Sequence, residues 1–313
     1  MMQWSPTVAV LVPCLNEEAA VGRVVADFRK YLPNAVVFVY DNGSTDRTIE
    51  VARAAGAIVR SEPLKGKGNV MRRMFADIEA DIYLLVDGDD TYDAASAPAM
   101  IQRLIDDCLD MVNGAREEKS EQAYRRGHRF GNRMLTGLVA QFFGERMTDM
   151  LSGYRVMSRR FVKSFPALAT GFETETELTV HALELRMPIA EVMTPYRERP
   201  PASASKLRTI PDGIRIMRLI MRLVREERPL EFFTVIAALL ALLSIALAVP
   251  VIAEYLQTGL VPRLPTAVLS TGLILLSFLS LVCGLVLSTV TRGRMEAKRL
   301  HYLSIPIRLQ DWR

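Results

Sequence analysis

The sequence predicts an α/β domain built on a mostly parallel sheet, followed by an amphipathic segment and a two-helix membrane hairpin. Three observations carry this reading. Strand-like and helix-like stretches alternate through the first 205 residues. Three of the strand-like runs end at Pro13, Asp41 and Asp87, and two long uncharged apolar runs stand near the end. Alternation of this kind implies parallel pairing, with helices on both faces of the sheet. Ligands of open α/β sheets sit along the carboxyl edge of the strands, so those three residues are expected in one crevice.

Element by element, "TVAVLVP" reads as a strand, and "NEEAAVGRVVADFRKYL" as a helix opening with two acids at its positive end. "AVVFVYDNGS" is a second strand that ends at Asp41 and a turn. "TDRTIEVARAAG" is a helix with a Thr cap and a terminal Gly. After the short "AIVRS", "LKGKGNVMRRMFADIEA" runs from a glycine loop into a helix, and "DIYLLVD" is the next strand.

Phe232 to Ala253 and Ala267 to Val290 contain no charged residue and exceed the ~20 residues a helix needs to cross a bilayer. A buried core helix seldom stays uncharged for so long. Arg263 is the single basic residue of their connection, whereas Lys206, Arg208, Arg215, Arg218, Arg222, Arg225 and Arg228 precede the first span. The positive-inside rule therefore puts both ends and the large first domain on the cytoplasmic side of an inner membrane. Arg215, Arg218, Arg222 and Arg225 recur at spacings of three and four, on one helical face. An arginine stripe beside a broad apolar face suits an anionic membrane surface; the alternative is a helix packed on its own domain. The expected divisions are 1–205, a juxtamembrane segment 206–230, a hairpin 231–291 and a basic tail 292–313.

Residues 1–205 hold 25 Lys/Arg against 28 Asp/Glu, so the net charge of +4 comes entirely from the membrane-flanking segments and no nucleic-acid partner is expected. Cys14, Cys108 and Cys283 stand far apart, which suggests neither a disulfide framework nor a zinc site. The first residues lack a basic start followed by a long apolar core, so no cleaved signal peptide is expected. Oligomeric state is open, a homo-oligomer included.

Chemistry concentrates in "LLVDGDDTY", where an apolar run ends in Asp87, Asp89 and Asp90. Packed carboxylates raise one another's pKa unless a cation neutralises them. Asp87 and Asp89 are suited to Mg²⁺ or Mn²⁺, since such ions bind through one or two carboxylates plus substrate phosphates. Asp90 reads as a solvated acid at a helix start, with assistance to the metal as the alternative.

"VPCLNEE", "VYDNGSTDRT", "LKGKGNVMRR" and "LLVDGDD", in this order and spacing, resemble the family 2 glycosyltransferases with the GT-A fold. "LSGYRVMSRRF", "FETETELTVHAL", "IAEVMTPYRERPPASASKL" and the hairpin narrow the likeness to the polyprenyl-phosphate glycosyltransferases, the group of dolichol-phosphate mannose synthase. The resemblance implies a UDP- or GDP-sugar donor and a polyprenyl phosphate acceptor, undecaprenyl phosphate in a bacterial architecture. It implies Asp89 as the metal ligand, Asp87 as the contact to donor ribose or sugar, and Pro13, Asn16, Glu17 and Asp41 around the nucleoside. Lys67, between two glycines, is expected at the diphosphate, where a loop can fold round phosphate and open a helix. Arg199 and Lys206 resemble a segment that closes over donor phosphates. Thr91 stands where relatives often have a longer polar residue beside the metal. Glu175 and Glu177 lie about 200° apart on a helix, so at most one faces the site, and Glu177 is the better match to the family.

An ionised lipid phosphate needs no general base, because its second pKa lies near ~6. It needs cations to place it, and Arg116, Arg129 and Arg155 are the candidates. No residue is clearly placed as a covalent nucleophile, so inversion by direct displacement is expected. Two rival readings stand beside this one. "VDGDDT" also fits D-x-D-x-T, in which Asp87 would be the nucleophile of a haloacid-dehalogenase-type phosphatase. A non-catalytic nucleotide-sugar binding module is the other.

Overall fold

The computed structural model describes residues 6–117, 147–171, 173–197 and 228–306. The chain divides into two compact units, Met1–Met217 together with Lys298–Arg313, and Arg218–Ala297.

The first unit is a seven-stranded sheet in the order β3-β2-β1-β4-β6-β5-β7. Its strands are β1 (Val8–Cys14), β2 (Val36–Asp41), β3 (Ile58–Ser61), β4 (Ile82–Leu85), β5 (Met111–Glu117), β6 (Arg155–Ser158) and β7 (Ile189–Pro195). β1 pairs in parallel with β2 and β4, β2 with β3, and β5 with β7. β6 runs antiparallel to both neighbours, β4 and β5. The sheet is thus mostly parallel, as the alternating pattern predicts. β4 is fully buried, which explains its unbroken apolar sequence.

Among the described residues the unit also holds helices α1 (Val21–Tyr31), α2 (Thr48–Ala54), α3 (Lys67–Asp77), α4 (Ala97–Asp106), α5 (Arg159–Ser164) and α6 (Thr174–Glu184). α1 buries Val21, Val24, Val25 and Phe28, the spacing of a one-sided helix. It begins later than expected: Glu17 and Glu18 stay in the preceding loop, where Glu17 N–H donates to the Thr48 hydroxyl at 2.8 Å. Asp46 accepts from the Thr48 N–H at 3.0 Å, so Asp46 rather than a Thr serves the start of α2. Asp90 is buried at positive φ and paired with Arg23 at 2.9 Å, not solvated.

The second unit holds most of two helices, α7 (Pro229–Thr258) and α8 (Leu264–Ser304), each long and apolar enough to cross a membrane. Its polarity is inside out. Leu239, Leu242, Leu276 and Phe278 are exposed, while Ala237, Ser244 and Val251 of α7 and Ser270, Ser277 and Gly284 of α8 are buried. Each trio repeats every seven residues, the spacing of a left-handed helix seam. Small residues allow the close approach: Ser244 Oγ donates to the Ser270 carbonyl at 2.7 Å, and Ser277 Oγ to that of Ala237 at 2.8 Å. α8 continues well past the expected span, and Lys298 onward groups with the first unit rather than forming a separate tail.

Candidate active site

A cavity of ≈ 360 Å³ lies where β1, β4 and β5 reach their carboxyl ends. It brings together Pro13, Glu17, Lys67, Asp87 and Asp89, with Arg116 and Glu175 on the same lining. Asp87 follows β4 by two residues, and its Oδ1 accepts a hydrogen bond from Lys67 Nζ at 2.5 Å. The same ammonium lies 2.5 Å from Glu175 Oε1. Burial works against the charge on Lys67, but the flanking carboxylates outweigh it and hold its pKa above the ordinary lysine range. One cation is therefore shared between two acids, with Asp89 as a third acid on the same lining.

Asp89 is 3% exposed, and its Oδ1 accepts from the Thr91 hydroxyl at 2.6 Å and the Thr91 N–H at 3.3 Å. Thr91 is buried and absent from the lining, so it orients Asp89 instead of reaching toward a ligand. Two glycines make room for this turn. A Cβ at Gly88 would stand 2.5 Å from Cys14 Sγ, and one at Gly153 would stand 2.4 Å from an Asp87 oxygen.

The glycines round Lys67 have a different purpose from the one expected. A Cβ at Gly66 would meet the Thr170 carbonyl at 2.1 Å, and one at Gly68 that of Ala169 at 2.2 Å. They let α3 press against the 169–170 segment, and the Gly68 N–H already donates to Thr170 at 3.2 Å. Glu177 belongs to the same device. Its two oxygens accept the N–H groups of Leu168 and Ala169 at 2.8 and 2.9 Å, and it is absent from the lining. Burial pushes its carboxyl pKa up, with those two bonds opposing. Of Glu175 and Glu177, then, it is Glu175 that reaches the cavity.

Arg155 also departs from expectation. It is fully buried, donating from Nε to the Ser152 carbonyl at 3.1 Å and from Nη2 to those of Met150 and Glu175 at 2.8 and 2.9 Å. Burial lowers its pKa to about 10, so it stays a cation at neutral pH. With its guanidinium spent on backbone carbonyls, Arg155 binds the 150–153 loop to α6 and has no surface to offer an acceptor phosphate. Arg116, by contrast, lines the cavity at the carboxyl end of β5. It forms a two-pronged pair with Asp149, at 2.6 Å from Nε and 2.8 Å from Nη2, and lies 5.4 Å from the centre of the Tyr196 ring.

Asp41, which is buried, and Asn16, which is exposed, are both absent from the lining. Asp41 accepts the N–H groups of Gly43 and Ser44, and Asn16 Oδ1 accepts that of Thr45 at 2.8 Å. Asn42, which the sequence did not single out, lines the cavity instead. Its amide donates to the Glu62 and Leu64 carbonyls and accepts the Gly66 N–H at 2.7 Å, tying β2 to the loop before Lys67. Tyr92 and Tyr196 supply aromatic walls, with ring centres 5.4 Å apart. Arg129, Arg199, Lys206 and the stripe Arg215, Arg218, Arg222 and Arg225 lie outside the described residues.

Residues 9–165 match the family described as glycosyl transferase family 2. The chain belongs to that family. Protein RfbJ of Shigella flexneri is 58% identical over 129 residues, which is 41% of this chain and 100% of that protein. A dolichyl-phosphate hexose transferase of Haloferax volcanii is 32% identical over 221 residues, 70% of this chain and 95% of its own length. Among solved structures, the glucosyl-3-phosphoglycerate synthase of M. tuberculosis superposes with a TM-score of 0.57 at 25% identity, covering 71% of this chain and 81% of that one. The sheet of this family 2 glycosyltransferase therefore has the GT-A architecture, and the phosphatase reading of Asp87 falls away.

The carboxylate set suits a hard divalent cation. Its donors are oxygens, and Asp87, Asp89 and Glu175 share the lining with Lys67, which is bonded to two of them. Among the described residues no three His, Cys, Asp or Glu side chains gather as a complete ligand set.

Proposed function

We propose that this glycosyltransferase is membrane-anchored and moves a sugar, with inversion, from a UDP- or GDP-sugar to a polyprenyl phosphate on the cytoplasmic leaflet. Undecaprenyl phosphate is the acceptor we favour. The observation that carries the proposal is a charge-crowded cavity at the carboxyl edge, in a chain that also holds two helices long enough to cross a bilayer. The likeness to a dolichyl-phosphate hexose transferase supports the acceptor class.

In this reading Asp89, oriented by Thr91, holds Mg²⁺ or Mn²⁺ with help from Asp87. When bound, the cation stabilises the charge that gathers on the departing diphosphate. The mycobacterial synthase has been solved with Mn²⁺ and UDP, in keeping with this choice of ion. Pro13, Glu17 and Asn42 border the nucleoside. Lys67 turns part of its charge from Asp87 and Glu175 toward the diphosphate as that group enters. Arg116 exchanges part of its pairing with Asp149 for the acceptor phosphate, assisted by Arg129, while Arg199 and Lys206 close over the donor. The lipid phosphate is already an anion and attacks without a base, so the protein's task is placement and charge compensation.

The test is to incubate the purified enzyme with undecaprenyl phosphate and a panel of nucleotide sugars, reading lipid mass and released nucleotide. A lipid-linked sugar together with nucleoside diphosphate supports the proposal. Nucleotide-sugar binding without turnover would favour the non-catalytic module. A retained α linkage from an α-linked donor, seen by product NMR, would remove the inverting mechanism.

A further inference from the structure

The last turns of α8 do not belong with the apolar hairpin. Lys298 onward is part of the first unit, and the contacts show how it is held there. Tyr302 OH donates to Asp110 Oδ2 at 2.5 Å, and its ring lies 4.3 Å from the Arg160 guanidinium. Arg160 in turn pairs with both oxygens of Asp110, at 3.1 and 2.7 Å. Lys298 Nζ lies 2.5 Å from Glu184, His301 Nε2 lies 3.3 Å from the Lys163 carbonyl, and Ile305 is buried. Burial of Tyr302, followed by the bond to Asp110, pushes its phenol pKa well up, so it stays a neutral donor.

The places where this segment docks are informative. Asp110 immediately precedes β5, whose other end carries Arg116. Glu184 ends α6, whose first turn carries Glu175. Lys163 donates to the Phe75 and Ile78 carbonyls at the end of α3, whose first residue is Lys67. The segment therefore touches the rear ends of β5 and α6 directly, and that of α3 only through Lys163, and these elements bring three cavity residues forward. Lys298 and the residues after it group with this unit, so the docked contacts are made by the stretch that directly follows the hairpin in sequence.

We propose that Tyr302 and Lys298 are positioning residues for transfer to a lipid-borne acceptor: by docking the end of α8 they tether the catalytic unit to the segment that follows the hairpin. The inference rests on the polyprenyl phosphate reading. A lipid phosphate is confined to the membrane surface, so its effective concentration at Arg116 depends on how narrowly the catalytic unit is tethered. A water-soluble acceptor arrives from any side and does not depend on the tether.

Two variants test this. One is Tyr302→Ala with Lys298→Ala. The other inserts a flexible Gly-Ser linker between Ala297 and Lys298, leaving every docking contact available while breaking the continuity of α8. The expected result for both is a kcat/KM on membrane-borne long-chain lipid lowered by about tenfold or more, the scale of a lost tether. Turnover of a short-chain, water-soluble polyprenyl phosphate should stay within about twofold, since it owes nothing to the tether. The linker variant should also keep its melting temperature. Hydrogen exchange read in parallel should show the amides of 298–305 protected in the wild type and exposed in the double variant. Equal losses on both acceptors, or no loss in the linker variant, would overturn the proposal. Free exchange of 298–305 in the wild type would overturn it too, whatever the activity. If the wild type makes no lipid-linked sugar from any donor, the acceptor reading is what fails, and the exchange measurement alone decides the docking.

Discussion

Two buried acids, one at each edge of the catalytic sheet, use similar partners to opposite ends. Asp110, at the rear, is 1% exposed and accepts four hydrogen bonds, from Ser158 Oγ, Tyr302 OH and twice from Arg160. Glu175, at the front, is 5% exposed, shares Lys67 with Asp87 through Oε1, and leaves Oε2 buried with no hydrogen-bond partner. A buried carboxylate without its full complement of donors is costly, and such groups persist where something other than stability is selected. The rear edge is a closed network that holds the fold. The front edge is held short of neutrality, which is what a site for a cation and a diphosphate requires.

The largest effect should come from removing charge at the front. Asp89→Asn should lower turnover by about 10³-fold, roughly 4 kcal/mol in the barrier, because the amide cannot hold the cation. Chelation with EDTA should act alike. The melting temperature should stay within a few degrees. A variant that keeps most of its activity, or a wild type that works in EDTA, would remove the metal from Asp89.

The rear predicts the reverse pattern. Asp110→Asn removes the charge from a buried network and should cost about 3 kcal/mol of stability. In a unit of this size that lowers the melting temperature by about 6–12 °C, while turnover of a short-chain, water-soluble acceptor below the transition stays within about twofold. A stable Asp110→Asn that is inactive on that acceptor would mean that the rear does more than hold the fold and dock the end of α8.

The front of this division was legible in the sequence, and the reasons that the rest was not are physical. The parallel sheet and the D-x-D turn are local patterns: a buried run ends and acids follow. Which glutamate of "FETETEL" faces the cavity was not legible, because every residue of α6 from Thr174 to Leu183 is buried. A helix covered all round has no exposed face to fix its rotation. Arg155 misled for a related cause, since nothing in a chain announces that backbone carbonyls at 150, 152 and 175 will converge on one guanidinium. The Tyr302–Asp110 contact joins residues 192 positions apart, and only the fold reveals it.

Glu175→Gln sharpens the comparison at a smaller scale. It should reduce kcat/KM by about tenfold, because Lys67 would then turn its whole charge on Asp87, and one charge-assisted bond is worth about 1.5–3 kcal/mol. Stability should be unchanged or slightly higher, since a buried and half-satisfied charge has gone. A falling melting temperature with unaltered kinetics would make Glu175 a structural acid like Asp110.

The smallest effect lies between the two edges, at His181 of α6. Its ring is 3% exposed, packed on Phe161 and Phe165, with Nε2 against Ser164 Oγ at 3.1 Å and Nδ1 unpartnered. Burial, and then the positive charge of Lys298, lowers its pKa from the ordinary imidazole range to about 3. In the unfolded chain the imidazole takes up a proton near pH ~6.5; in the folded protein it resists doing so until far lower pH. Its contribution to stability is therefore fully present above pH ~6.5 and is lost as pH falls from there toward about 3, the direction set by a depressed folded pKa. Between pH 7 and pH 5 the wild type should lose a few degrees of melting temperature, and His181→Gln should lose less over the same interval. Carboxylates titrate mainly below that window, so the difference between the two curves isolates the histidine. If the curves run parallel from pH 7 to pH 5, the ring is protonated in the folded state, and the centre of α6 is more open to water than either edge.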